Sequence, residues 1–201
     1  MQTMKTVHYF MSPVSPWSYL GHKRFLAMAN ANGARVILRP IDLGRVFPQS
    51  GGLPLAKRAP QRQAYRLHEL PRWRDRVGVP LNVHPTFFPA PPNDAARLII
   101  AADLALGTEA ALRLAGAFMS AVWAEDRNIA DAPTRAAIMA EQGIDAAVLE
   151  ARAEDARKAF DTYTEEAIAA QVFGVPWYVV DGEPFWGQDR LDFVARALER
   201  T

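Results

Sequence analysis

The chain has 201 residues, half of them hydrophobic, which is enough to bury one substantial core or one core with a sizeable insertion. Its 23 basic and 22 acidic residues leave a net charge of +1, so charge alone indicates neither nucleic acid nor an anionic membrane as a partner. The absence of cysteine excludes disulfides, thiolate metal sites and thiol nucleophiles, and we expect no metal centre. We predict a cytoplasmic protein, since the sequence shows neither a signal peptide nor an apolar run of the roughly 18 residues that a membrane span requires.

The first fifty residues predict a strand, a helix and a second strand. Thr6 to Met11 is β-branched and aromatic, which is typical of a buried strand. Apolar positions from Pro16 to about Asn32 fit a helix that Gly33 ends. The segment ARVILRPIDL predicts the next strand, which ends near Pro40. If the two strands pair in parallel, they form a right-handed βαβ unit.

The segment from Phe47 to Pro92 is rich in proline and basic residues. One interpretation is a nucleic-acid patch; the favoured one is a solvated helix with a basic face near an anionic ligand, because the overall charge is balanced. We expect Pro71 to break this helix or to begin another one. The basic residues are Lys57, Arg58, Arg62, Arg66, Arg72, Arg74 and Arg76.

The rest of the chain predicts a helical block followed by a hairpin and a last helix. Alanine-rich sequence begins at Asn93, with helix starts expected near Asp131 and Asp145. After Gly174, VPWYVVDGEPFWG predicts a hairpin, and QDRLDFVARALER predicts an amphipathic helix. The order βαβ, helices, ββα predicts an α/β, thioredoxin-like fold with an inserted all-helical domain. We expect residues 1–50 plus 172–201 to form the thioredoxin-like domain and residues 55–170 to form the inserted helical domain.

A serine motif stands where the predicted first helix begins. It has two overlapping forms, Ser12-Pro13-Val14-Ser15 and Ser15-Pro16-Trp17-Ser18. The second form makes Ser15 the N-cap and Pro16 the first helical residue, where a missing N–H does no harm. The first form would place Pro16 in the second turn and remove a hydrogen bond. Ser15 is either a simple cap or a functional residue in the position of the first cysteine of a redox motif.

Elementary electrostatics limits what Ser15 can do. A helix N-terminus favours negative charge by roughly 0.3–1 kcal/mol, which can stabilise a thiolate but cannot produce a serine alkoxide. An activated serine needs a base within reach, and the four histidines form no recognisable triad with it; His22 is a candidate only because it lies in the same helix. Ser15 is therefore better suited to donating a hydrogen bond to the thiolate of a ligand.

Two segments near the C-terminus are compatible with a peptide-thiol ligand. Val175-Pro176 opens the predicted hairpin, and we expect its peptide bond to be cis. A cis bond would leave the Val175 backbone able to pair with an extended peptide, although an ordinary strand-entry proline is the alternative. Trp186-Gly187-Gln188-Asp189 precedes the last helix. Asp189 is either a helix cap or the acceptor for the α-amino group of a γ-glutamyl moiety.

Four segments, taken together, resemble the 2-hydroxychromene-2-carboxylate isomerase family, in the group related to kappa-class glutathione transferases and DsbA-type oxidoreductases. The resemblance spans nearly the whole chain, and the combination of SPxS, GVP and WGxDRL is fairly specific. The segments are SPWSYLG (Ser15–Gly21), RPIDLGRVF (Arg39–Phe47), VWAEDRNIAD (Val122–Asp131) and FGVPWYVVDGEPFWGQDRL (Phe173–Leu191).

The resemblance implies that the chain binds glutathione and that it acts as an isomerase. Ser15 matches the active serine, and Val175 with Pro176 matches the site of the glutathione backbone. Trp186, Gly187, Gln188 and Asp189 match the segment that holds the γ-glutamyl end. The activity implied is glutathione-dependent cis–trans isomerisation of an aromatic, conjugated 2-oxo acid in aromatic-compound catabolism, in which glutathione serves as the nucleophile.

Several alternatives stay open at this stage. Within enzymes, the second hypothesis is a kappa-like glutathione transferase or peroxidase; outside them, it is a non-catalytic thiol- or peptide-binding module. Candidates for holding the substrate acid or the glycyl carboxylate are Lys57 and Arg62, chosen from charge, and Asn93 lies near the segment that corresponds to the family's FPxN pattern. The expected partners are glutathione and a small aromatic substrate, without nucleic acid or membrane. The oligomeric state is open, a homodimer included.

Overall fold

The computed structural model describes residues 4–199, which form a four-stranded mixed sheet surrounded by helices. The strands are β1 (Thr6–Met11), β2 (Arg35–Pro40), β3 (Trp177–Val180) and β4 (Glu183–Trp186). Their spatial order is β2-β1-β3-β4. The helices are α1 (Pro16–Ala31), α2 (Leu43–Ser50), α3 (Pro60–Val77), α4 (Asn93–Leu106), α5 (Thr108–Trp123), α6 (Ala132–Glu141), α7 (Ala146–Glu150), α8 (Ala153–Ala169) and α9 (Leu191–Glu199). None of these helices is both long and apolar enough to cross a membrane.

The two halves predicted from the ends of the chain share this one sheet. β1 is parallel to β2, with Val7 opposite Val36, so β1, α1 and β2 form the predicted βαβ unit. β3 is antiparallel to β1, with Val7 opposite Val180, and β4 is antiparallel to β3. β3, β4 and α9 therefore form the ββα half, and the α/β, thioredoxin-like arrangement is confirmed.

Alternation of side chains along β1 gives the sheet two apolar faces. Val7, Tyr9 and Met11 point into the main core, whereas Phe10 packs in a smaller cluster on the opposite face. Tyr9 stacks on Tyr178 of β3 with ring centres 5.3 Å apart. Large aromatic side chains of this kind dominate core energetics, so this face fixes the pairing of β1 with β3.

The helical segment packs on the same core as the sheet. One continuous cluster of buried side chains contains Val7 of β1, Ile99 of α4 and Phe118 of α5. The Asp131 and Asp145 side chains cap α6 and α7 by accepting from the Thr134 and Ala147 N–H groups, which confirms both predicted starts. The division into domains 1–50 plus 172–201 and 55–170 stays a prediction.

The expectation of a helix boundary at Pro71 is wrong. Helix α3 runs without interruption from Pro60 to Val77. A proline removes one backbone hydrogen bond, but tertiary packing can override that local penalty. The preceding Leu70 is fully buried and Trp73 packs against the main core, so the helix is held on both sides of Pro71.

Candidate active site

Ser15 caps helix α1, as predicted. Its backbone is extended, with φ −79° and ψ 119°, and its Oγ accepts a 3.1 Å hydrogen bond from the Ser18 N–H. Pro16 is the first helical residue, where its missing N–H would have had no partner within the helix. The helix therefore begins within the second form of the serine motif and not within the form that starts at Ser12.

The Ser15 hydroxyl keeps a proton that is only weakly engaged. The residue is 8% exposed, and its Oγ lies 3.5 Å from the Val175 carbonyl oxygen, at the outer limit of a hydrogen bond. No acidic side chain occupies the first turn of α1, so the positive end of the helix dipole is not neutralised there. Ser15 can therefore cap the helix through its oxygen and donate its proton to an anion at the same time.

Two further hydroxyls lie buried beside this helix start. Ser12 is 1% exposed and Ser18 is fully buried, and neither Oγ has a hydrogen-bond partner within residues 4–199. A buried hydroxyl without a partner forgoes a bond that contributes about 1 kcal/mol. Both Oγ atoms are enclosed by protein and line neither cavity, so Ser15 is the serine of this motif whose proton points towards the Val175 turn.

His22 does not serve as a base for Ser15. Its Nε2 lies 3.0 Å from the Leu112 carbonyl oxygen, which can only accept, so Nε2 carries the proton. Its Nδ1 lies 3.3 Å from the Tyr9 hydroxyl and accepts from it. Burial lowers the pKa of His22 from 6.5 to about 4, which keeps the imidazole neutral. His22 is thus a core histidine with both nitrogens engaged.

Acid is expected to destabilise the fold through His22. The imidazole binds a proton near pH 6.5 in the unfolded chain but only near pH 4 in the folded chain, so stability present above pH 6.5 is lost as the pH falls towards 4. The loss is on the order of 3 kcal/mol. Urea unfolding at both ends of this range measures it. His22→Gln should remove this component whereas His68→Gln, at an exposed position, should retain it; an unchanged pH dependence in His22→Gln contradicts the assignment.

The Val175-Pro176 turn lies against the segment that follows β4. The Val175–Pro176 bond is cis, as predicted. The Gly187 N–H donates to the Pro176 carbonyl oxygen over 2.9 Å, which links the two segments. Gly174 permits this close approach, because a Cβ there would lie 2.8 Å from Trp186 Nε1. The two C-terminal segments singled out in the sequence therefore meet in space.

Gln188 and Asp189 differ in how free their side chains are. Gln188 is 2% exposed, and its Oε1 accepts a 2.8 Å bond from Arg24 Nη1 of α1. Gly21 makes room for it, since a Cβ at that position would lie 2.7 Å from the Gln188 Cβ. The Asp189 carboxylate is 40% exposed and accepts a 2.7 Å bond from Arg190. Asp189 is thus the more accessible of the two for a ligand.

A cavity of about 680 Å³ lies between α3 and this C-terminal segment. Its volume is within the range of about 300–1,000 Å³ that is usual for small-molecule sites. It is lined by Trp17, Arg58, Gln61, Arg62, Tyr65, Arg66, Glu69, Trp73, Val175, Trp186, Gly187, Gln188, Asp189 and Arg190. Aromatic rings and guanidinium groups dominate this lining, which suits an aromatic anion.

The cavity gathers most of the residues singled out in the sequence but not all. Val175, the Trp186–Asp189 segment and Arg62 line it. Ser15 and Pro176 are outside the lining. The Ser15 hydroxyl contacts the carbonyl oxygen of Val175, which does line the cavity. Lys57 and Asn93 are also outside it: Lys57 is exposed at the end of a short 3-10 helix, and Asn93 Nδ2 donates to Asp42 over 3.4 Å.

Sequence reasoning expected a basic helix face near an anionic ligand and singled out Arg62, but it did not identify the other residues of this cavity wall. Arg58, Arg62 and Arg66 follow each other at intervals of four residues, and Tyr65, Glu69 and Trp73 extend the same face of α3. Spacings of three and four residues place side chains on one side of a helix. That periodicity was the available signal, and it separates these arginines from the others of the basic segment.

Comparison with known proteins places the chain in a family. A model of the DSBA-like thioredoxin domain matches residues 6–199. The 2-hydroxychromene-2-carboxylate isomerase of Pseudomonas putida is 31% identical over 200 aligned residues, covering 96% of this chain and 94% of that protein. The chain belongs to the 2-hydroxychromene-2-carboxylate isomerase family of DSBA-like thioredoxin domains. The predicted family membership is thereby confirmed.

Solved structures agree with this family assignment. A 2-hydroxychromene-2-carboxylate isomerase structure matches with a TM-score of 0.79 at 27% identity, covering 97% of this chain and 95% of that one. The cytosolic disulfide reductase DsbM from Pseudomonas aeruginosa, solved with GSH, matches with a TM-score of 0.67 at 20% identity. The match covers 96% of this chain and 94% of that one. The second likeness shows the fold alone. The site of this chain is built on serines, and the chain contains no cysteine.

Proposed function

We propose that this chain catalyses the glutathione-dependent cis–trans isomerisation of an aromatic, conjugated 2-oxo acid. The observation that carries the proposal is Ser15, a buried hydroxyl at a helix start with a weakly engaged proton. His22, the histidine of the same helix, is engaged elsewhere, so Ser15 is suited to stabilising an anion and not to acting as a nucleophile. The isomerase names of the relatives support the reaction type.

Glutathione would supply the thiolate that a cysteine-free chain lacks. Ser15 would hold its sulfur and the Val175-Pro176 turn its cysteinyl backbone, while the Trp186–Asp189 segment would hold its γ-glutamyl end. Three observations are compatible with this placement: the weakly engaged proton of Ser15, the contact between the two C-terminal segments, and a cavity next to both segments. The GSH-bound DsbM structure is a further support, since it has the same fold.

The residues of the chain would orient and stabilise what binds. The Ser15 hydroxyl and the N-terminus of α1 favour the charged form of a thiol, which lowers its pKa. The aromatic side chains of the cavity offer flat apolar surfaces for a conjugated substrate, and its arginines balance a carboxylate. Both ligands would thus be held between α3 and the start of α1.

The fate of glutathione tests this proposal against its alternatives. With a cis-configured aryl-substituted 2-oxo acid, an isomerase turns over while the concentration of free thiol stays constant. A kappa-like transferase or peroxidase consumes the thiol, and a non-catalytic thiol- or peptide-binding module binds it without turnover. Following substrate absorbance and free thiol in the same sample separates the three. Stoichiometric loss of thiol, or binding without turnover, contradicts the proposal.

Asp189→Ala is expected to weaken glutathione binding more than it slows the chemical step. The carboxylate is partly exposed at the cavity, where it would accept from the α-amino group of the γ-glutamyl end. A charge-assisted bond of this kind contributes roughly 1.5–3 kcal/mol. Calorimetric titration with glutathione measures the loss, and Asp192→Ala, at an exposed position outside the cavity lining, is the control. Equal affinity in wild type and Asp189→Ala contradicts the role of Asp189.

A further inference from the structure

Three arginines form an unpaired row along one wall of the cavity. Arg58 precedes α3, and Arg62 and Arg66 follow it at intervals of four residues on that helix. None of the three forms an ion pair within the described residues 4–199, whereas the two acids of the cavity, Glu69 and Asp189, pair with other arginines. Neighbouring like charges four residues apart destabilise a helix, so the row favours an anionic ligand.

Arg66 is the most desolvated member of this row. Its Nη2 atom is buried and has no hydrogen-bond partner in the described part of the chain. Its guanidinium carbon lies 5.1 Å from the centre of the Phe88 ring and 5.5 Å from that of Trp123, so aromatic faces provide part of its stabilisation. Burial and the nearby Arg58 lower the pKa of Arg66 to about 10, and the side chain therefore stays charged at neutral pH.

The other arginines of the cavity are less available or less enclosed. The Arg58 Nε donates to the Leu53 carbonyl oxygen over 2.8 Å, and Arg190 pairs with Asp189. Arg62 is exposed. Arg66 also lines a second, smaller cavity of about 270 Å³, whose remaining walls are mostly apolar: Leu55, Leu67, Val83, His84, Pro85, Phe88 and Pro89. Arg66 thus stands where the large cavity adjoins an apolar space.

We propose that Arg66 is a specificity-determining residue that binds the carboxylate of the aromatic acid, with Arg62 adding charge at the exposed side. This rests on the proposed function, because it concerns the second ligand of the same site. A guanidinium presents paired N–H donors that match a carboxylate, and its charge does not depend on pH in the physiological range. The aromatic walls of the large cavity then face the ring of the acid.

Ligand binding without turnover tests the role of Arg66. The probe is benzylidenepyruvate, an aryl-substituted 2-oxo acid, compared with its neutral amide by quenching of tryptophan fluorescence. We expect wild type to prefer the acid by about 10- to 100-fold, since hydrogen bonds to a charged group contribute roughly 1.5–3 kcal/mol. In Arg66→Met this preference should fall several-fold, with Arg66→Lys between the two. Arg74→Met is the control, because Arg74 lies on α3 outside the cavity lining and pairs with Asp75, which is also outside it.

The outcomes separate this proposal from the proposed function. Equal binding of acid and amide by wild type, which requires no variant to fold, overturns the proposal. An unchanged acid preference in Arg66→Met also overturns it. If that variant instead loses affinity for glutathione while the acid preference stays intact, Arg66 holds glutathione and the proposal is again overturned. An Arg66-dependent acid preference in a protein that never isomerises supports Arg66 and removes the isomerase proposal.

Discussion

Replacing Ser15 by alanine is expected to lower the proposed isomerase turnover by about 10- to 1,000-fold. One oriented hydrogen bond to an anion contributes roughly 1.5–3 kcal/mol, and the helix N-terminus adds to it. The proton that would make this bond is held in the structure only by a 3.5 Å contact to the Val175 carbonyl oxygen. Steady-state kinetics at saturating glutathione measures the effect, because saturation separates the chemical step from binding.

Ser18→Ala is the matched control for Ser15→Ala. Ser18 is the third residue of α1, in the same turn that Ser15 caps, but its side chain is fully buried in the protein. Its removal should change turnover much less. Ser15 also caps α1, and loss of a cap costs about 0.5–2 kcal/mol of stability, so each variant needs a melting curve. Full activity of folded Ser15→Ala would leave Ser15 as a helix cap only.

Removing glutathione is expected to reduce isomerisation to the rate of the reaction without enzyme. The chain contains no cysteine, and within residues 4–199 the Ser15 hydroxyl contacts no basic side chain, so the site offers no nucleophile that replaces the thiol. Adding S-methylglutathione, which has the same peptide frame but no ionisable thiol, should not restore the rate, whereas adding glutathione should. The measurement is the isomerisation rate of dialysed enzyme with each addition. An equal rate without any thiol contradicts the proposed chemistry.

The strands and the first helix could be predicted because their signals are local. β1 was expected at Thr6–Met11 and is found there, since a short β-branched and aromatic run fits a buried strand. α1 was expected from Pro16 to about Asn32 and runs from Pro16 to Ala31, with Gly33 in the left-handed conformation after it. A cap and a terminator within the chain determine both ends of this helix.

The elements that were missed depend on tertiary packing. Helix α2 contains Gly44 and Pro48, both unfavourable for a helix, and its start depends on the Asp42 carboxylate accepting from the Gly44 N–H over 2.8 Å. The buried Val46 of α2 packs in the smaller core cluster on the far side of the sheet. No pattern in the local sequence predicts this packing of Val46. A helix was expected in the basic segment, but its continuation through Pro71 was not, because that continuation depends on the packing of Leu70 and Trp73.

The candidate site was predictable where it follows the backbone and not where it depends on side-chain faces. The cap at Ser15, the cis Val175–Pro176 bond and the approach of the Trp186–Asp189 segment follow from short motifs. The choice of Lys57 and Arg62 rested on charge alone; Arg62 lines the cavity together with Arg58 and Arg66, whereas Lys57 does not. Charge composition does not say which basic residues share the inward face of a helix; the four-residue spacing does.

The ionisation of bound glutathione tests the central claim, that Ser15 stabilises a ligand thiolate, most directly. Titration of the thiolate absorbance in the binary complex gives the pKa of the bound thiol without any need for turnover. In wild type this pKa should lie well below the roughly 8.5 of a free thiol, and Ser15→Ala should raise it by about one unit or more, while Ser18→Ala should change it little. The same pKa in wild type and in Ser15→Ala, with glutathione bound to both, would contradict the account.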